Sequence, residues 1–200
     1  MPLAWPTRAT YYSMHGQIRT GYRLLTNPEN NHINHKIQRL TGMFKTADLC
    51  DDHSDSLQIA QPLFRDYGKK ITFSGTISTI KCHEDNTHVR AQLEKPGNGR
   101  VLVVDGGGST RCAMVGDLLA QLGADNGWSG IIVYGCIRDS GVIANINIGV
   151  KAMATMPLKS VKNGVGEVDI NVHFADVDFI PGQYLYADED GIVIATQALS

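Results

Sequence analysis

The chain lacks any long hydrophobic run. No stretch of its 200 residues approaches the roughly eighteen consecutive apolar residues of a membrane-spanning helix. The N-terminus also lacks the apolar segment of a secretory signal. Hydrophobic residues make up 42% of the chain, enough for one substantial core. We therefore expect a soluble protein that has no membrane partner.

Closely spaced cysteines are missing as well. The chain has four cysteines and no Cys-x-x-Cys pair. They stand in apolar surroundings, at Cys50, Cys82, Cys112 and Cys136. This spacing argues against a disulfide framework and against a zinc site. The sequence therefore predicts reduced, mostly buried thiols and a reducing compartment such as the cytoplasm.

Most of the chain lacks an excess of basic residues. The overall charge is −2, and residues 1–42 contain five basic residues and one acid, so the remainder is clearly acidic. A nucleic-acid-binding domain normally has a basic face. We therefore expect no direct nucleic-acid partner.

Residues 1–42 have no sustained helical or strand period and form a separate segment in our interpretation. Three interpretations remain open for this N-terminal extension: an organellar targeting segment, an arm that packs on the body or on a neighbouring subunit, or residues that precede a true start at Met43. His32 and His35 are interpreted as part of a solvated loop because no cysteine or carboxylate stands near them. Residues 43–200 are the predicted domain.

A βαβ unit is predicted for residues 101–140. Residues 101–104 (VLVV) are continuously apolar, which is typical of a strand buried on both faces. Three glycines at 106–108 allow a sharp turn. Apolar residues recur at helical spacing across residues 110–123, and residues 130–134 are a second apolar run.

The rest of the chain alternates between helical and extended patterns. We predict helices over residues 46–60, 86–94 and 140–147, and strands over residues 71–82, 150–156, 168–174, 177–180, 184–187 and 192–195. Thr46 or Asp48 is the expected N-cap of the first helix. The alternation in residues 71–82 changes phase near Ser78, as at a bulge or a barrel corner. Together these patterns predict an α/β protein with a mixed, partly barrel-like sheet.

Two acidic runs could suggest metal sites, residues 83–85 (HED) and residues 188–190 (DED). No second histidine follows the first run at ligand spacing, and acidic residues are common in turns. We interpret the first run as a solvated turn and the second as ordinary turn chemistry. His173 is interpreted as an ordinary sheet residue.

Asp117 and the pair Arg138 and Asp139 are the candidate functional residues. Loops after the strands of a βαβ unit gather at one edge of the sheet, where ligands usually bind. Twenty residues separate Asp117 from Arg138, about the length that a helix and a strand need to return to that edge. We expect these side chains to be neighbours.

Several segments resemble the RraA family, which contains the regulator of ribonuclease E activity and the class II 4-hydroxy-4-methyl-2-oxoglutarate aldolases. The resemblance runs from about Met43 to the C-terminus and is carried by VLVVDGGGSTRCAMVGDLL and GIIVYGCIRD, with TADLCD, PLF, IKCHEDN and YADEDGIVIA. In this family the Asp-x20-Arg-Asp spacing separates members equipped for catalysis from the bacterial regulator. The resemblance implies a swivelling β/β/α fold and a homotrimer with sites near subunit boundaries.

The candidate residues suit a metal-dependent reaction. The Asp139 carboxylate can hold a hard cation such as Mg²⁺ or Mn²⁺. The Arg138 guanidinium matches a carboxylate or an enolate oxygen of a small 2-oxo acid. By the resemblance, Asp117 acts as an acid or base beside the water around the metal.

The resemblance also implies a helix that begins near Gly116, whereas periodicity favours a start near Thr110. With the later start, the backbone N–H groups of Gly116, Asp117, Leu118 and Leu119 could bind a substrate carboxylate. We adopt the later start, because the periodic segment is short.

The reaction that the resemblance implies is cleavage of 4-hydroxy-4-methyl-2-oxoglutarate, or of 4-carboxy-4-hydroxy-2-oxoadipate, to pyruvate, with oxaloacetate decarboxylation as a side activity. A Schiff-base route is disfavoured because residues 101–140 contain no lysine. One alternative is a regulator that binds and inhibits a ribonuclease. Another is a methyltransferase, since VLVVDGGGS resembles a strand and a glycine-rich cofactor loop, although steric needs suffice to explain the glycines.

Overall fold

A ten-stranded mixed sheet is the main element of the computed structural model, which describes residues 44–199. The strands in this part of the chain are β1 Leu57–Ile59, β2 Arg65–Asp66, β3 Phe73–Lys81, β4 Val101–Asp105, β5 Ala113–Val115, β6 Gly130–Ile137, β7 Gly149–Thr155, β8 Glu167–Val168, β9 Val172–Phe174, β10 Val177–Phe179, β11 Tyr184–Ala187 and β12 Ile192–Ala195. The large sheet has the order β1, β12, β11, β3, β4, β6, β7, β2, with β5 also paired to β6 and β8 to β3. Strands β9 and β10 form a separate hairpin. The predictions for residues 1–42 lie outside the described residues.

The helices are short. They are α1 Thr46–His53, α2 Thr87–Leu93, α3 Asp117–Asp125 and α4 Ser140–Ile143, and a 3₁₀ turn at Ser54–Ser56 follows α1. Within residues 44–199, no helix has the length and apolar character needed to cross a membrane. The mixed α/β architecture with a large mixed sheet is confirmed, and the sheet is open, with β1 and β2 at its edges.

The centre of the sheet separates two apolar layers. Strand β4 is buried along its whole length: Leu102 and Val104 face the layer that includes residues of α2 and α3, while Val101 and Val103 face the layer completed by the β9 and β10 hairpin. This two-sided burial is what the VLVV run predicted. Strands β3, β4, β6 and β7 are parallel neighbours, so their C-terminal ends lie at one edge of the sheet.

Strand β3 changes partners along its length. Residues 73–76 pair with antiparallel β11, whereas residues 77–81 pair with parallel β4. The change of pattern predicted near Ser78 coincides with this exchange, because the second half of β3 is covered on both faces.

Two predicted helices are wrong in their bounds. The helix predicted for residues 46–60 ends at His53, since residues 57–59 pair with β12 as β1. Neither Thr46 nor Asp48 caps it: Lys45 is at the N-cap position, and the Thr46 N–H donates to Asp188 at 2.6 Å. The predicted helix at residues 140–147 is only Ser140–Ile143.

The helix predicted by periodicity for residues 110–123 is also wrong at its start. Its first part is β5, which pairs with β6, and α3 begins at Asp117 with Gly116 at the N-cap position. This is the later start that the family resemblance implied. The predicted strand at residues 168–174 is divided between β8 and β9, which pair with different partners. In each case pairing between distant segments overrides local periodicity.

Candidate functional site

Two adjacent parallel strands bring the candidate residues to one edge. Strand β6 pairs with β4 up to Tyr134 and with β5 at Cys136 and Ile137. The Arg138 N–H then donates to the carbonyl of Val115 at 2.9 Å. The residues that follow β5 and β6 therefore emerge side by side.

Gly116 is the point of contact between the two segments. A Cβ built on this glycine would lie 2.9 Å from Asp139 Oδ2 and 3.2 Å from Arg138 Nε. Asp117 is the next residue, so its Cα lies about 3.8 Å from that of Gly116. The structure thus brings the backbone before Asp117 close to the Arg138 and Asp139 side chains, and a larger residue at position 116 would require those two side chains to move.

The start of α3 uses part of its own backbone hydrogen-bonding capacity. Asp117 Oδ1 accepts from the Leu118 N–H at 2.8 Å, and the Leu119 N–H donates to Gly116 O at 3.1 Å. The Leu118 side chain is exposed, whereas that of Leu119 lies in the core. A contact of Leu119 with a ligand would therefore have to come from its backbone, and a ligand of the Leu118 or Leu119 N–H would have to compete with these hydrogen bonds.

Arg138 and Asp139 form an ion pair that solvent can reach. Arg138 Nε lies 3.2 Å from Asp139 Oδ2, and both side chains are 38% exposed. Such a pair contributes little to stability, about 1 kcal/mol or less. Asp139 has φ 56° and ψ 33°, the left-handed region, which is uncommon for a residue other than glycine. Backbone strain of this kind clusters at functional sites.

The donor set at this edge fits a hard divalent cation. Among residues 44–199 there is no group of three His, Cys, Asp or Glu side chains placed to hold a metal, so a closed zinc-type site is absent from this part of the chain. Mg²⁺ commonly uses one or two carboxylates and takes its other ligands from water and substrate. The accessible Asp139 carboxylate meets that requirement.

The glycine turn after β4 has a steric explanation. The Gly106 and Gly108 N–H groups both donate to Tyr134 O, and the Gly107 N–H donates to Asp105 Oδ1 at 2.9 Å. A Cβ on Gly106 would meet Tyr134 O at 2.8 Å. These donors are used within the fold, so the turn does not have the open N–H groups of a phosphate-binding or cofactor-binding loop.

The interpretation of residues 83–85 as a solvated turn is wrong for Asp85. This side chain is 1% exposed and accepts four hydrogen bonds, from the N–H and hydroxyl of Thr87 and from the N–H groups of Asn163 and Val165. Burial alone would raise the pKa of Asp85, but these hydrogen bonds together hold it well below its usual range. Sequence reasoning missed this residue; an Asp two positions before Thr was the available signal, since Asx turns have this spacing.

Glu84 and His83 lie beside the glycine turn. Glu84 accepts from the Ser109 hydroxyl and pairs with Arg111 at 2.6 Å, while Arg111 lies 3.1 Å from His83 Nε2. The hydrogen bond from Ser109 is the main cause of a lowered Glu84 pKa. A cavity of about 460 Å³ opens here, lined by Lys81, Cys82, His83, Asp105, Gly107, Val165, Gly166 and Glu167. Burial raises the pKa of the Cys82 thiol to about 12, so that thiol is not a ready nucleophile.

The remaining candidates are structural. His173 is exposed on β9, with Nδ1 2.7 Å from Asp178 Oδ1 on β10, an ordinary cross-strand pair as predicted. Asp188 accepts from the N–H groups of Asp190 and Gly191 in its own turn and from Thr46. All four cysteines are free thiols, and three of them are buried.

The fold and this edge define a mixed α/β protein with an arginine and carboxylates gathered where parallel strands end. The sequence matches the RraA-like family, described as Aldolase/RraA, over residues 46–194. The chain belongs to this family, as the sequence motifs indicated.

Three relatives illustrate the range of functions named within this family. A protein of Alkalilimnicola ehrlichii with the provisional name 4-hydroxy-4-methyl-2-oxoglutarate aldolase is 56% identical over 77% of this chain and 96% of its own. The crystal structure of an S-adenosylmethionine:2-dimethylmenaquinone methyltransferase from Geobacillus kaustophilus HTA426 is 49% identical, with a TM-score of 0.75, over 78% of this chain and 97% of its own. The RNA-processing inhibitor RraA from Thermus thermophilis is 39% identical, with a TM-score of 0.76, over 78% and 95%. These three relatives have different functional names but share one fold. The function of this chain therefore has to be argued from its site residues.

Proposed function

We propose that this protein is a divalent-metal-dependent lyase that cleaves 4-hydroxy-4-methyl-2-oxoglutarate, or the related 4-carboxy-4-hydroxy-2-oxoadipate, to pyruvate. The observation that carries the proposal is the contact of Gly116, the residue before Asp117, with Arg138 and Asp139. The aldolase names of relatives about 55% identical to this chain support it. The same site would decarboxylate oxaloacetate, because that reaction also leaves a pyruvate enolate.

The roles follow from the chemistry of each side chain. Asp117 accepts the proton of the C4 hydroxyl, directly or through water, as the C3–C4 bond breaks. The bonding electrons pass to the C2–C3 fragment as an enolate, and the other fragment leaves as a second 2-oxo acid. A proton returned by Asp117 or taken from water then converts the enolate to pyruvate. Arg138 offers N–H donors to the negative oxygen or to the adjacent carboxylate.

Asp139 is the proposed protein ligand of the cation. When bound, Mg²⁺ or Mn²⁺ would supply Lewis-acid stabilisation of the enolate. The ion pair with Asp139 keeps Arg138 beside the same position, so both groups address one region of the substrate.

The experiment is a turnover assay with purified protein. Pyruvate release from 4-hydroxy-4-methyl-2-oxoglutarate and from oxaloacetate is measured with Mg²⁺ or Mn²⁺ and again with EDTA. We expect turnover of both substrates that EDTA removes and added metal restores. The absence of turnover of both, at any metal concentration, would reject the lyase.

A ribonuclease regulator is the second candidate, favoured by the 39% identity to the RNA-processing inhibitor from Thermus thermophilis. Tight binding to a ribonuclease, combined with no turnover, would replace the lyase with this function. Calorimetry with S-adenosylmethionine addresses the methyltransferase name in the same way. Saturable binding would contradict our proposal, and the internal use of the glycine-turn N–H groups predicts none.

A homotrimer in a reducing compartment such as the cytoplasm completes the proposal. The part of the chain that the structure describes exposes large apolar side chains on and near the candidate edge: Leu118, Val142, Leu158, Val161 and Val165. Association of subunits would cover such side chains. Light scattering at micromolar concentration tests the trimer, and a monomer would contradict it. The free cysteines are in keeping with a reducing environment.

A further inference from the structure

Asp85 ties a distant segment to the turn after β3. Its Oδ2 accepts from the N–H groups of Asn163 and Val165 at 2.7 and 3.1 Å, while Oδ1 accepts from the Thr87 N–H and hydroxyl at 2.8 and 2.7 Å. The carboxylate is almost completely buried. One side chain therefore fixes backbone nearly eighty residues away in sequence.

The segment that Asp85 holds, residues 158–165, runs along β5; we call it the crossing segment. Ala113 of β5 donates its N–H to Leu158 O at 2.7 Å and accepts from the Ser160 N–H at 3.2 Å. The Val161 N–H donates to Glu84 O at 3.0 Å. The crossing segment thus lies between the turn that contains Asp85 and the first residue of β5.

Strand β5 depends on these contacts for its position. It has three residues, and isolated pairings of this length have little stability of their own. β6 holds one side of it, and the crossing segment pairs with Ala113. Asn86 adds a direct hydrogen bond from Nδ2 to Met114 O at 3.1 Å. Gly116 and Asp117 follow β5 without an intervening loop, so a shift of β5 moves them relative to Arg138 and Asp139.

We infer that Asp85 is a positioning residue: through the crossing segment it fixes β5, and thereby holds Gly116 and Asp117 against Arg138 and Asp139. Its catalytic consequence rests on the proposed lyase function. Its structural consequence, the anchoring of the crossing segment, does not.

The variant Asp85→Asn tests the inference with minimal change of shape. An ionised carboxylate only accepts hydrogen bonds, whereas the amide presents an NH₂ group that cannot accept. At least one of the N–H groups bound by Asp85 would then face another donor. The amide opposes the N–H groups of Asn163 and Val165 in one orientation and the Thr87 N–H in the other. In both orientations it lacks the negative charge that strengthens the hydrogen bonds from the crossing segment.

Asp188→Asn is the matched control. Asp188 is also 1% exposed and also accepts backbone and hydroxyl hydrogen bonds, from Thr46, Asp190 and Gly191. It connects the β11 and β12 turn to the start of α1 and has no bond to the crossing segment among those of the described residues. A purely structural role of Asp85 would make the two variants alike.

Steady-state decarboxylation of oxaloacetate is measured well below the melting temperature of each variant. We expect kcat/KM of Asp85→Asn to fall about 10- to 100-fold, the size of effect that a misplacement near 1 Å can cause. Asp188→Asn should stay within about twofold of the wild type, because its contacts do not reach β5.

Limited trypsin digestion provides a readout that needs no activity. Lys159 and Lys162 lie in the crossing segment, and we expect cleavage after them to accelerate in Asp85→Asn but not in Asp188→Asn. Thr87→Val, which removes a hydroxyl donor to Asp85 and an acceptor for the Gly164 N–H, should give a smaller change in the same direction. This variant keeps the test valid if Asp85→Asn does not fold.

The outcomes separate the two proposals. No turnover by the wild type would reject the lyase. The rate of trypsin digestion would then test whether Asp85 anchors the crossing segment. Normal turnover by the wild type, with unchanged kcat/KM and unchanged digestion in both Asp85→Asn and Thr87→Val, would overturn the positioning role. An equal loss of kcat/KM in Asp188→Asn would overturn it as well.

Discussion

Two acidic turns of similar composition have different consequences in this molecule. Asp85 and Asp188 are both buried. Each carboxylate accepts one hydrogen bond from the N–H of the residue two positions later and another from a threonine hydroxyl. Asp188 closes an antiparallel hairpin and holds the first helix. Asp85 follows a parallel strand and holds the crossing segment beside β5.

The difference lies in sheet topology rather than in residue chemistry. The turn of an antiparallel hairpin returns the chain to the neighbouring strand, and Asp188 accepts hydrogen bonds from that turn and from Thr46 of the first helix, far from the candidate edge. The C-terminal ends of parallel strands meet loops from distant parts of the chain, and ligands bind there. A buried carboxylate at that edge can therefore affect a site as well as stability, which the following substitutions examine.

The largest effect is expected for Asp139→Asn. Asparagine tolerates the left-handed backbone of this position but removes the charge that would hold a cation. We expect metal-dependent turnover to fall about 10³-fold, since Lewis-acid assistance is worth several kcal/mol. The control is Asp176→Asn, an exposed residue with φ 63° in the β9 and β10 hairpin. Undiminished turnover in Asp139→Asn would remove Asp139 from the metal site.

A smaller loss is expected for Arg138→Lys. An ammonium cannot reproduce the two-pronged contact of a guanidinium. The loss of one charge-assisted hydrogen bond, about 1.5–3 kcal/mol, corresponds to roughly a 10- to 100-fold lower kcat/KM. Arg90→Lys, in the exposed pair with Glu94 on α2, is the control and should be neutral. Normal kinetics of Arg138→Lys would contradict the assigned role.

The variants Gly116→Ala and Gly191→Ala each add one methyl group, the first at the candidate edge and the second in the turn between β11 and β12. A Cβ at Gly116 would displace Asp139 or Arg138, whereas nothing lies within 4 Å of a Cβ at Gly191, in the antiparallel turn. We expect about a tenfold loss of kcat/KM for Gly116→Ala from misplacement of these side chains. Gly191→Ala should retain wild-type kinetics. Equal kinetics of the two variants would show that the close approach at Gly116 is unimportant.

The smallest effect concerns stability as a function of pH. Hydrogen bonds hold the pKa of both Asp85 and Asp188 below its usual range despite burial. The stability from each carboxylate is therefore present above the unfolded-state pKa, near 3.9, and is lost as pH falls toward the lower folded-state pKa. Urea unfolding should give Asn variants about 1–3 kcal/mol less stable at pH 7, with a difference that narrows below about pH 4. A difference that stays constant to pH 3 would contradict the role of charge.

Much of the sheet could be predicted from local patterns. The VLVV run became β4, the apolar run from residue 130 became β6, and the hairpin of β11 and β12 was correctly bounded. These segments are apolar throughout or sharply delimited by turn residues, so local sequence determines them. The strand β5 could not be predicted, because three residues have no period and their pairing with β6 and the crossing segment depends on distant chain.

The candidate site was predictable only in part. The twenty residues between Asp117 and Arg138 match the length of a helix and a strand, so the return of the chain to the same sheet edge could be predicted. The roles assigned to them stay predictions until the variants are measured. Asp85 was missed because a carboxylate between polar neighbours has the sequence pattern of any solvated turn.

The sequence by itself determined the buried parallel strands, the glycine turn and the chemical types of the candidate residues, because burial and turn preferences are local properties. Only the tertiary structure decided that Gly116 meets Arg138 and Asp139, and that Asp85 is buried under residues 158–165. Those contacts join segments that are far apart in the chain, and their positions depend on the whole set of strand pairings rather than on any one segment.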